Sequence, residues 1–324
     1  MKKQANNWPL RVIERTPWAD QRPTYRDANP AIIHAALDRS QRRPTGNWYV
    51  LGASSQVRSD EPMGVCVAGV ELVAWRDRQD GLRVGPRSCP HLGADLATAK
   101  VHGGKLICRW HGLTLDGARC ELGWKPLPSH DDGVLAWVRL DSVGGEHPLT
   151  EPVIPDRPTD ATMVAVSEMV GVCEPQDIIA NRLDPWHGAW FHPYSFTRLS
   201  VLSTPTEDAD HFLVEVTFRV GRFGTPALAK FCSPEARTIV MQIVDGEGSG
   251  SVVETHATPI ALGPDGRPRT AVTEAVIAHS DRPWFKRSLR IAGLITPLMR
   301  HATTKLWRDD LEYAERRYRT RTQN

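Results

Sequence analysis

Cys89-Pro90-His91-Leu92-Gly93 and Cys108-Arg109-Trp110-His111-Gly112 are two copies of one short pattern. Each carries one Cys and one His and closes on Gly, and sixteen residues separate His91 from Cys108. Two thiols and two imidazoles can hold one zinc tetrahedrally, or they can ligate a two-iron cluster. Spacing separates the two options. Zinc fingers usually pair Cys with Cys and His with His, with at least two residues between paired ligands. Here each loop mixes the two types, and a single residue lies between Cys89 and His91. A [2Fe–2S] cluster with two Cys on one iron and two His on the other suits that arrangement, because each loop then reaches both irons. Gly93 and Gly112 let the backbone come close and present N–H groups to the sulfides.

Short strand patterns surround these loops: Asn47–Gly52, Gly64–Gly69, Glu71–Trp75, Lys105–Cys108 and Val134–Val138. Turn residues separate them at the spacing of a small antiparallel barrel or sandwich. Before them, residues 1–45 read as a peripheral arm in which only Pro30–Leu37 looks helical. The arm carries nine Lys/Arg and four Asp/Glu. After them, Asp141–Thr159 is rich in Pro, Gly and acid and reads as a linker. Met163–Ser167, Phe212–Val220, Thr238–Val244, Ser251–His256 and Thr270–His279 then read as strands, with a short helix near residue 185. Helices from about Trp284 to Leu298 and Thr304 to Arg319 close the chain. The expected class is α+β: an all-β unit, residues 46–140, then a unit over 141–324 with a curved antiparallel sheet holding helices on one face.

Composition fits a globular chain. The 324 residues contain 40 Lys+Arg and 38 Asp+Glu, a net charge of +2. That balance gives no reason to expect nucleic acid or an anionic membrane as the main partner. No run approaches a membrane span, and residues 1–10 lack a signal-peptide core, so a cytoplasmic location is the default expectation. Six cysteines are too few and too scattered for a disulfide scaffold. Cys120, the nearest spare thiol to the loops, suits core packing. Gly246–Gly250 sits between strand patterns and reads as a hairpin turn, not a nucleotide-binding loop.

A second constellation stands at Asn181-Arg-Leu-Asp184-Pro-Trp-His187-Gly-Ala-Trp-Phe-His192-Pro193. Two His plus a carboxylate with open positions make the facial triad of non-haem Fe(II) oxygenases. A plainer reading competes, because Asp184-Pro185 is also a good N-cap and N1 pair. His187 and His192 lie about 140° apart on an ideal helix, so joint ligation needs the helix to end or bend between them. Pro193 makes such an ending reasonable. For the carboxylate, the last helix offers Asp309, Asp310, Glu312 and Glu315. Its apolar stripe is Trp307, Leu311, Ala314 and Tyr318. Asp309 points nearly opposite the stripe and Asp310 borders it, so Asp310 is favoured, with Glu315 second. A solvated face of i,i+4 ion pairs accounts for Asp309, Glu312 and Glu315.

The pattern Cys-x-His-x16-Cys-x2-His over residues 47–140 resembles the Rieske iron–sulfur motif. Leu92, Ala94 and Trp110 stand beside the histidines, where respiratory Rieske proteins carry a loop disulfide, so the oxygenase and ferredoxin branch is the nearer likeness. Asn181-x2-Asp184-x2-His187-x4-His192 is similar to the catalytic motif of Rieske oxygenases, and Asp310-Leu-Glu-Tyr313 to their late acidic helix. The resemblance implies a terminal oxygenase of the compact monooxygenase branch, with a helix-grip-like catalytic domain over residues 141–324. Cys89, His91, Cys108 and His111 would hold a [2Fe–2S] cluster. His187, His192 and Asp310 would hold mononuclear Fe(II). Asp184 would bridge to His111 of a neighbouring subunit in a homotrimer, with Asn181 near the metal. Electrons would come from a separate ferredoxin or reductase, since no flavin or nicotinamide motif is present, and the basic arm could help dock an acidic ferredoxin. The substrate would be O2 plus a hydrophobic molecule such as a steroid, other isoprenoid or aromatic, held by residues from about 195 to 300. A different class of reading is a non-catalytic Rieske carrier fused to a lipid-binding helix-grip domain, and a third is a zinc-stabilised scaffold.

Overall fold

Trp48–Ala53 is rich in aromatic and β-branched residues and forms a strand buried along its whole length in this computed structural model, which describes residues 11–13, 17–118, 120 and 122–323. It pairs antiparallel with Leu135–Arg139, which pairs in turn with Ser129–Asp131. A second sheet runs Met63–Val67, Val70–Arg76, Leu82–Pro86. Val67, Leu72 and Val84 turn inward from it against Tyr49, Leu51 and Val138. A third small sheet joins Lys100–His102, Lys105–Ile107 and Thr114–Leu115. Beneath it lies a separate core of Trp75, Leu96, Leu106, Leu115 and Trp124. The five strands expected here are present with shifted ends. Leu82–Pro86, Lys100–His102, Thr114–Leu115 and Ser129–Asp131 escape the sequence pattern, because strands this short and polar show too little alternation.

The larger sheet follows the order Thr162–Gly171, Thr270–His279, Val252–Pro259, Thr238–Gly246, Phe223–Glu235, Phe212–Val220, Phe196–Ser203, with antiparallel neighbours throughout. Two of these strands were not expected. Phe223–Glu235 contains Gly224 and Pro226, which argue against a strand interior. Pro226 falls just outside the stretch that pairs with Thr238–Gly246, so its missing N–H breaks no bond on that side. Ile178, Ile179, Trp307 and Leu311 pack onto one face of the sheet against Phe212 and Ile239. They come from the Pro175–Arg182 helix and a helix over Ala292–Thr322. That last helix corrects the expected pair. The break falls earlier, at a 3-10 turn over Leu289–Ile291 after the short helix Pro283–Ser288. Pro297 sits in the second turn, where it forgoes only the bond to the Gly293 carbonyl. No helix among the described residues is long and apolar enough to cross a membrane.

Residues 1–10 and 14–16 of the arm lie outside the described residues, and the described part is not peripheral. Its helix, Pro30–Gln41, is capped by Asn29 and buries Ile33, Ala36 and Leu37 in the same core as Ile178 and Phe212. Arg39 and Arg43 are bound to Asp210 at 2.9 and 2.7 Å, so part of the arm's positive charge is spent inside this unit. The linker is likewise packed. Glu146 accepts the Thr45 and Gly46 N–H groups, and Leu149 and Ile154 lie beside Trp48, Trp137 and Ile277 at the junction of the two units.

Arg157 crosses that junction. Its guanidinium meets Asp132 of the smaller unit at 2.9 Å and Glu254 of the large sheet at 2.5 and 2.7 Å. Burial opposes ionisation of both acids, yet the bonds from Arg157 hold both below their ordinary values. A carboxyl group lowered in the folded state stabilises above its unfolded value and loses that contribution as pH falls through the folded one. Wild-type protein should therefore unfold only at pH below about 4. Arg157→Met leaves Glu254 with only His256 and Asp132 with only its N–H donors, and should destabilise by about 3–5 kcal/mol, moving acid unfolding toward neutrality in circular dichroism. Leu37→Ala should cost about 2–5 kcal/mol in urea unfolding of the larger unit, whereas a peripheral arm would show no change.

Candidate metal centres and cavity

The two Cys–His loops fold alike. The N–H of Gly93 donates to the Cys89 carbonyl and the N–H of Cys89 to the Ala94 carbonyl. The N–H of Gly112 donates to Cys108 and the N–H of Cys108 to Leu113 in the same way. Gly93 and Gly112 take φ of +74° and +73°, the left-handed conformation that closes such a loop and favours glycine. The result sorts the side chains. Cys89 and Cys108 are buried against each other, while the His91 and His111 rings meet edge to face at 4.8 Å on an exposed tip. Leu92 and Trp110 on that tip are 63% and 61% exposed. Burial pushes the Cys89 thiol up, the His91 N–H opposes it, and Cys108 adds to the rise. Two adjacent buried thiols beside two adjacent imidazoles suit a cationic group spanning both pairs.

The second motif folds as a broken helix. A 3-10 turn over Pro185–His187 leads into one α turn over Gly188–Phe191, and His192 leaves it with φ −120° and ψ 55°. That bend brings together two rings that a regular helix would hold apart. Nε2 of His187 and of His192 lie 3.1 and 2.9 Å from Oδ1 of Asp310. The three ligand atoms lie within 4.8 Å of one another. Asn181 Nδ2 donates to the same Asp310 oxygen at 3.0 Å. Asp310 is fully buried, and burial resists its ionisation. The bonds from His187 and His192 prevail and hold its carboxyl far below the usual range. Asp310 Oδ2 and Asn181 Oδ1 are buried without a partner. Two imidazole nitrogens and a carboxylate, with spare buried oxygens beside them, form a donor set that suits a divalent transition metal.

The outer contacts aim the ligands. His187 Nδ1 is bonded to the Asp184 carbonyl, so a metal would displace only the Nε2 proton that now faces Asp310. His192 Nδ1 faces Asp309 Oδ2 at 3.5 Å, and Tyr194 donates its hydroxyl to that same oxygen at 2.5 Å. Asp184 occupies an N-cap position, but its side chain makes no capping bond. Instead Oδ2 accepts the Tyr313 hydroxyl at 3.4 Å and Oδ1 is buried unpartnered. Burial raises the Asp184 carboxyl against the pull of His187. Glu315 accepts the Val172 N–H and Glu312 is exposed, so neither is near the triad atoms.

A cavity of about 310 Å³ opens beside the triad, at the lower end of the range for small-molecule sites. His187 and His192 stand on its wall. Phe196, Leu199, Val214, Phe231, Met241 and Val253 supply an apolar lining from five strands of the large sheet.

Residues 143–324 match the family described as domain of unknown function (DUF5914), and residues 47–138 match the Rieske [2Fe–2S] domain. The chain belongs to the DUF5914 family. In this DUF5914 protein the family's segment follows a Rieske [2Fe–2S] domain, so the resemblance carried by the first motif is borne out. Over 75 residues the chain is 32% identical to the oxygenase component of 3-ketosteroid-9-alpha-monooxygenase from Rhodococcus rhodochrous, covering 23% of this chain and 19% of that protein. The chain spans only 19% and 35% of the length of the first two curated relatives it matches. Two solved structures share the whole fold. Dicamba monooxygenase bound to dicamba superposes with a TM-score of 0.62 at 19% identity, over 86% of this chain and 89% of that one. The terminal oxygenase of carbazole 1,9a-dioxygenase from Novosphingobium sp. KA1 gives 0.57 at 15%, over 93% and 90%. An N-terminal Rieske domain followed by a large antiparallel sheet with helices is thus the fold of Rieske oxygenases.

Tyr194 and Tyr313 escaped the reading of this DUF5914 sequence as site residues, and Asp309, weighed there as a ligand and assigned to a solvated face, instead faces His192 and Tyr194. The only local signal of the two tyrosines is position, two residues after His192 and three after Asp310. Asp310→Ala should abolish retention of added Fe(II), measured as iron remaining after gel filtration. Glu315→Ala should retain it. Tyr194→Phe should weaken retention about 10–100-fold, as loss of an orienting contact does.

Proposed function

We propose that this chain is the terminal oxygenase component of a Rieske non-haem iron system. It takes electrons from a separate ferredoxin or reductase and uses dioxygen to oxidise, most simply to mono-oxygenate, a hydrophobic molecule. One observation carries the reading. His187, His192 and Asp310 present three ligand atoms within 4.8 Å, with both histidines on the wall of an apolar cavity, in a chain that also has a Rieske domain.

Cys89, His91, Cys108 and His111 would hold the cluster, and His187, His192 and Asp310 the mononuclear iron. When bound, these groups would supply one-electron transfer and the binding and activation of dioxygen. The chain's own residues do the rest. The Asp184 carbonyl fixes the His187 tautomer, Asp309 and Tyr194 orient His192, and Asn181 holds Asp310. The Phe196, Leu199 and Phe231 side chains keep water from the reacting face and seat an apolar substrate. A steroid, other isoprenoid or aromatic compound suits that lining.

The working unit in this reading is a homotrimer. No hydrogen bond or ion pair joins His91 or His111 to Asp184 among the described residues. The exposed tip with Leu92 and Trp110 is apolar, and a groove lined by Trp18, Trp190, Phe191 and Tyr313 reaches His187 from the other side. Docking of one copy's tip in its neighbour's groove would bring His111 up to Asp184. The buried, unpartnered Oδ1 of Asp184 supports such a bridge.

Protein purified without air should contain about three iron and two acid-labile sulfide per chain. About two of each, unchanged by added Fe(II), would favour a carrier fused to a lipid-binding domain instead. A colourless protein with one zinc would remove the cluster altogether. His187→Ala should lower iron to about two per chain, keep the cluster's visible absorption and abolish substrate oxidation.

A further inference from the structure

The cavity wall is mainly apolar, and besides the triad histidines, Asp184 and Arg219 it carries one facing pair of opposite charge, Arg182 and Glu274. Arg182 ends the helix that carries Asn181, and its side chain is 11% exposed. Its Nε is buried with no hydrogen-bond partner. The nearest acid atom is Glu274 Oε2, 3.9 Å from Nη2, beyond hydrogen-bond range. Glu274 is drawn elsewhere. Its Oε2 accepts the Trp307 indole N–H at 2.7 Å and the Thr255 hydroxyl at 3.2 Å. The guanidinium also lies 5.8 Å from the Trp307 ring, which steadies its charge without taking its donors. A guanidinium carries five N–H donors, and a buried donor without an acceptor is strongly disfavoured. In this place it is open to whatever enters the cavity.

The surrounding charge selects the ligand. Glu274 already opposes the Arg182 charge and Asp184 stands on the same cavity wall, while Arg219, also on that wall, gives its Nε and Nη1 to the Gly221 and Pro193 carbonyls. A ligand carboxylate at Arg182 would add a third acid beside Glu274 and Asp184. A carbonyl or hydroxyl oxygen would satisfy the guanidinium without that repulsion, and the rest of the wall would bury hydrocarbon.

We infer that Arg182, set against Glu274, receives a single neutral oxygen function, a carbonyl or a hydroxyl, on an otherwise apolar substrate. This rests on the reading of the cavity as the oxygenase's substrate site. It makes Arg182 a specificity-determining residue that orients the molecule end-on, with its far portion toward His187 and His192.

The test is calorimetric titration of the metal-loaded protein, without air, with three probes of matched shape: 2-acetylnaphthalene, 2-ethylnaphthalene and 2-naphthoate. The acetyl compound should bind about tenfold or more tighter than the ethyl compound, and the naphthoate no tighter than the ethyl compound. Arg182→Met should erase the acetyl preference while leaving 2-ethylnaphthalene binding unchanged. Glu274→Gln, which removes the opposing charge, should raise naphthoate affinity about tenfold or more. Equal binding of acetyl and ethyl compounds, tightest binding of naphthoate by the wild type, or no binding of any probe would overturn the inference. Should Arg182→Met fail to fold, the wild-type series and Glu274→Gln decide the matter alone. Iron is counted in the same samples. A full complement with the wrong ligand preference refutes only this inference, whereas a missing mononuclear iron refutes the oxygenase reading on which it rests.

Discussion

A fully buried carboxylate facing two imidazoles is the constraint around which the larger unit is arranged. Taking Asp310 out of water is unfavourable by several kcal/mol unless charge and hydrogen bonds answer it. Here three donors, from Asn181, His187 and His192, converge on one of its oxygens. They come from a helix, a 3-10 turn and a bend about 120 residues earlier in the chain. Each must be held independently, because no local spacing ties them to Asp310. The Trp307 and Leu311 side chains seat the last helix on the sheet, and Ile178 and Ile179 seat the Asn181 helix beside it. Packing thus sets the positions, and polar contacts set the angles.

The smaller unit solves a different problem. Its two Cys–His loops bury two thiols yet leave two imidazoles at the surface. Paired backbone bonds and a left-handed glycine in each loop achieve this with only a few residues. Behind them, Trp75 and Trp124 fill a core of their own. Arg157 and the packed strap over residues 141–159 then fix this unit to the sheet. The outcome is a chain with two imidazoles exposed at a tip and an enclosed set of two imidazoles and a carboxylate, the first held by paired backbone bonds and the second by packed helices.

Polarity within the cavity follows from the same packing. Trp307 seats the helix that brings Asp310 inward, and its indole N–H holds Glu274. Glu274 in turn faces Arg182, the neighbour of Asn181 in sequence. The triad and the Arg182–Glu274 pair therefore share supports, so a change at Trp307 disturbs both.

Residue type and local spacing were enough to identify the Cys89–Gly93 and Cys108–Gly112 loops, because both halves of that site lie within short hairpins where sequence distance and spatial distance agree. They were also enough to place Thr270–His279 and Phe212–Val220 as strands, the first as a run rich in Thr, Val and Ile and the second by its alternation. The inward tilt of Asp310 over Asp309 was legible from helical geometry, as burial on the last helix follows its apolar stripe. Other features depended on contacts between distant segments. The arm became part of the core because Ile33 and Leu37 found an apolar surface more than 140 residues away. Pro226 was tolerated in a strand because of where the neighbouring strand ends. Tyr194, Tyr313, Arg182 and Glu274 gained their roles only from what packs against them. Sequence by itself determined which chemistry the chain can hold, since ligand types are a property of residues. Tertiary structure decided which copies of those residues converge, since burial and unmet hydrogen-bonding capacity exist only after packing.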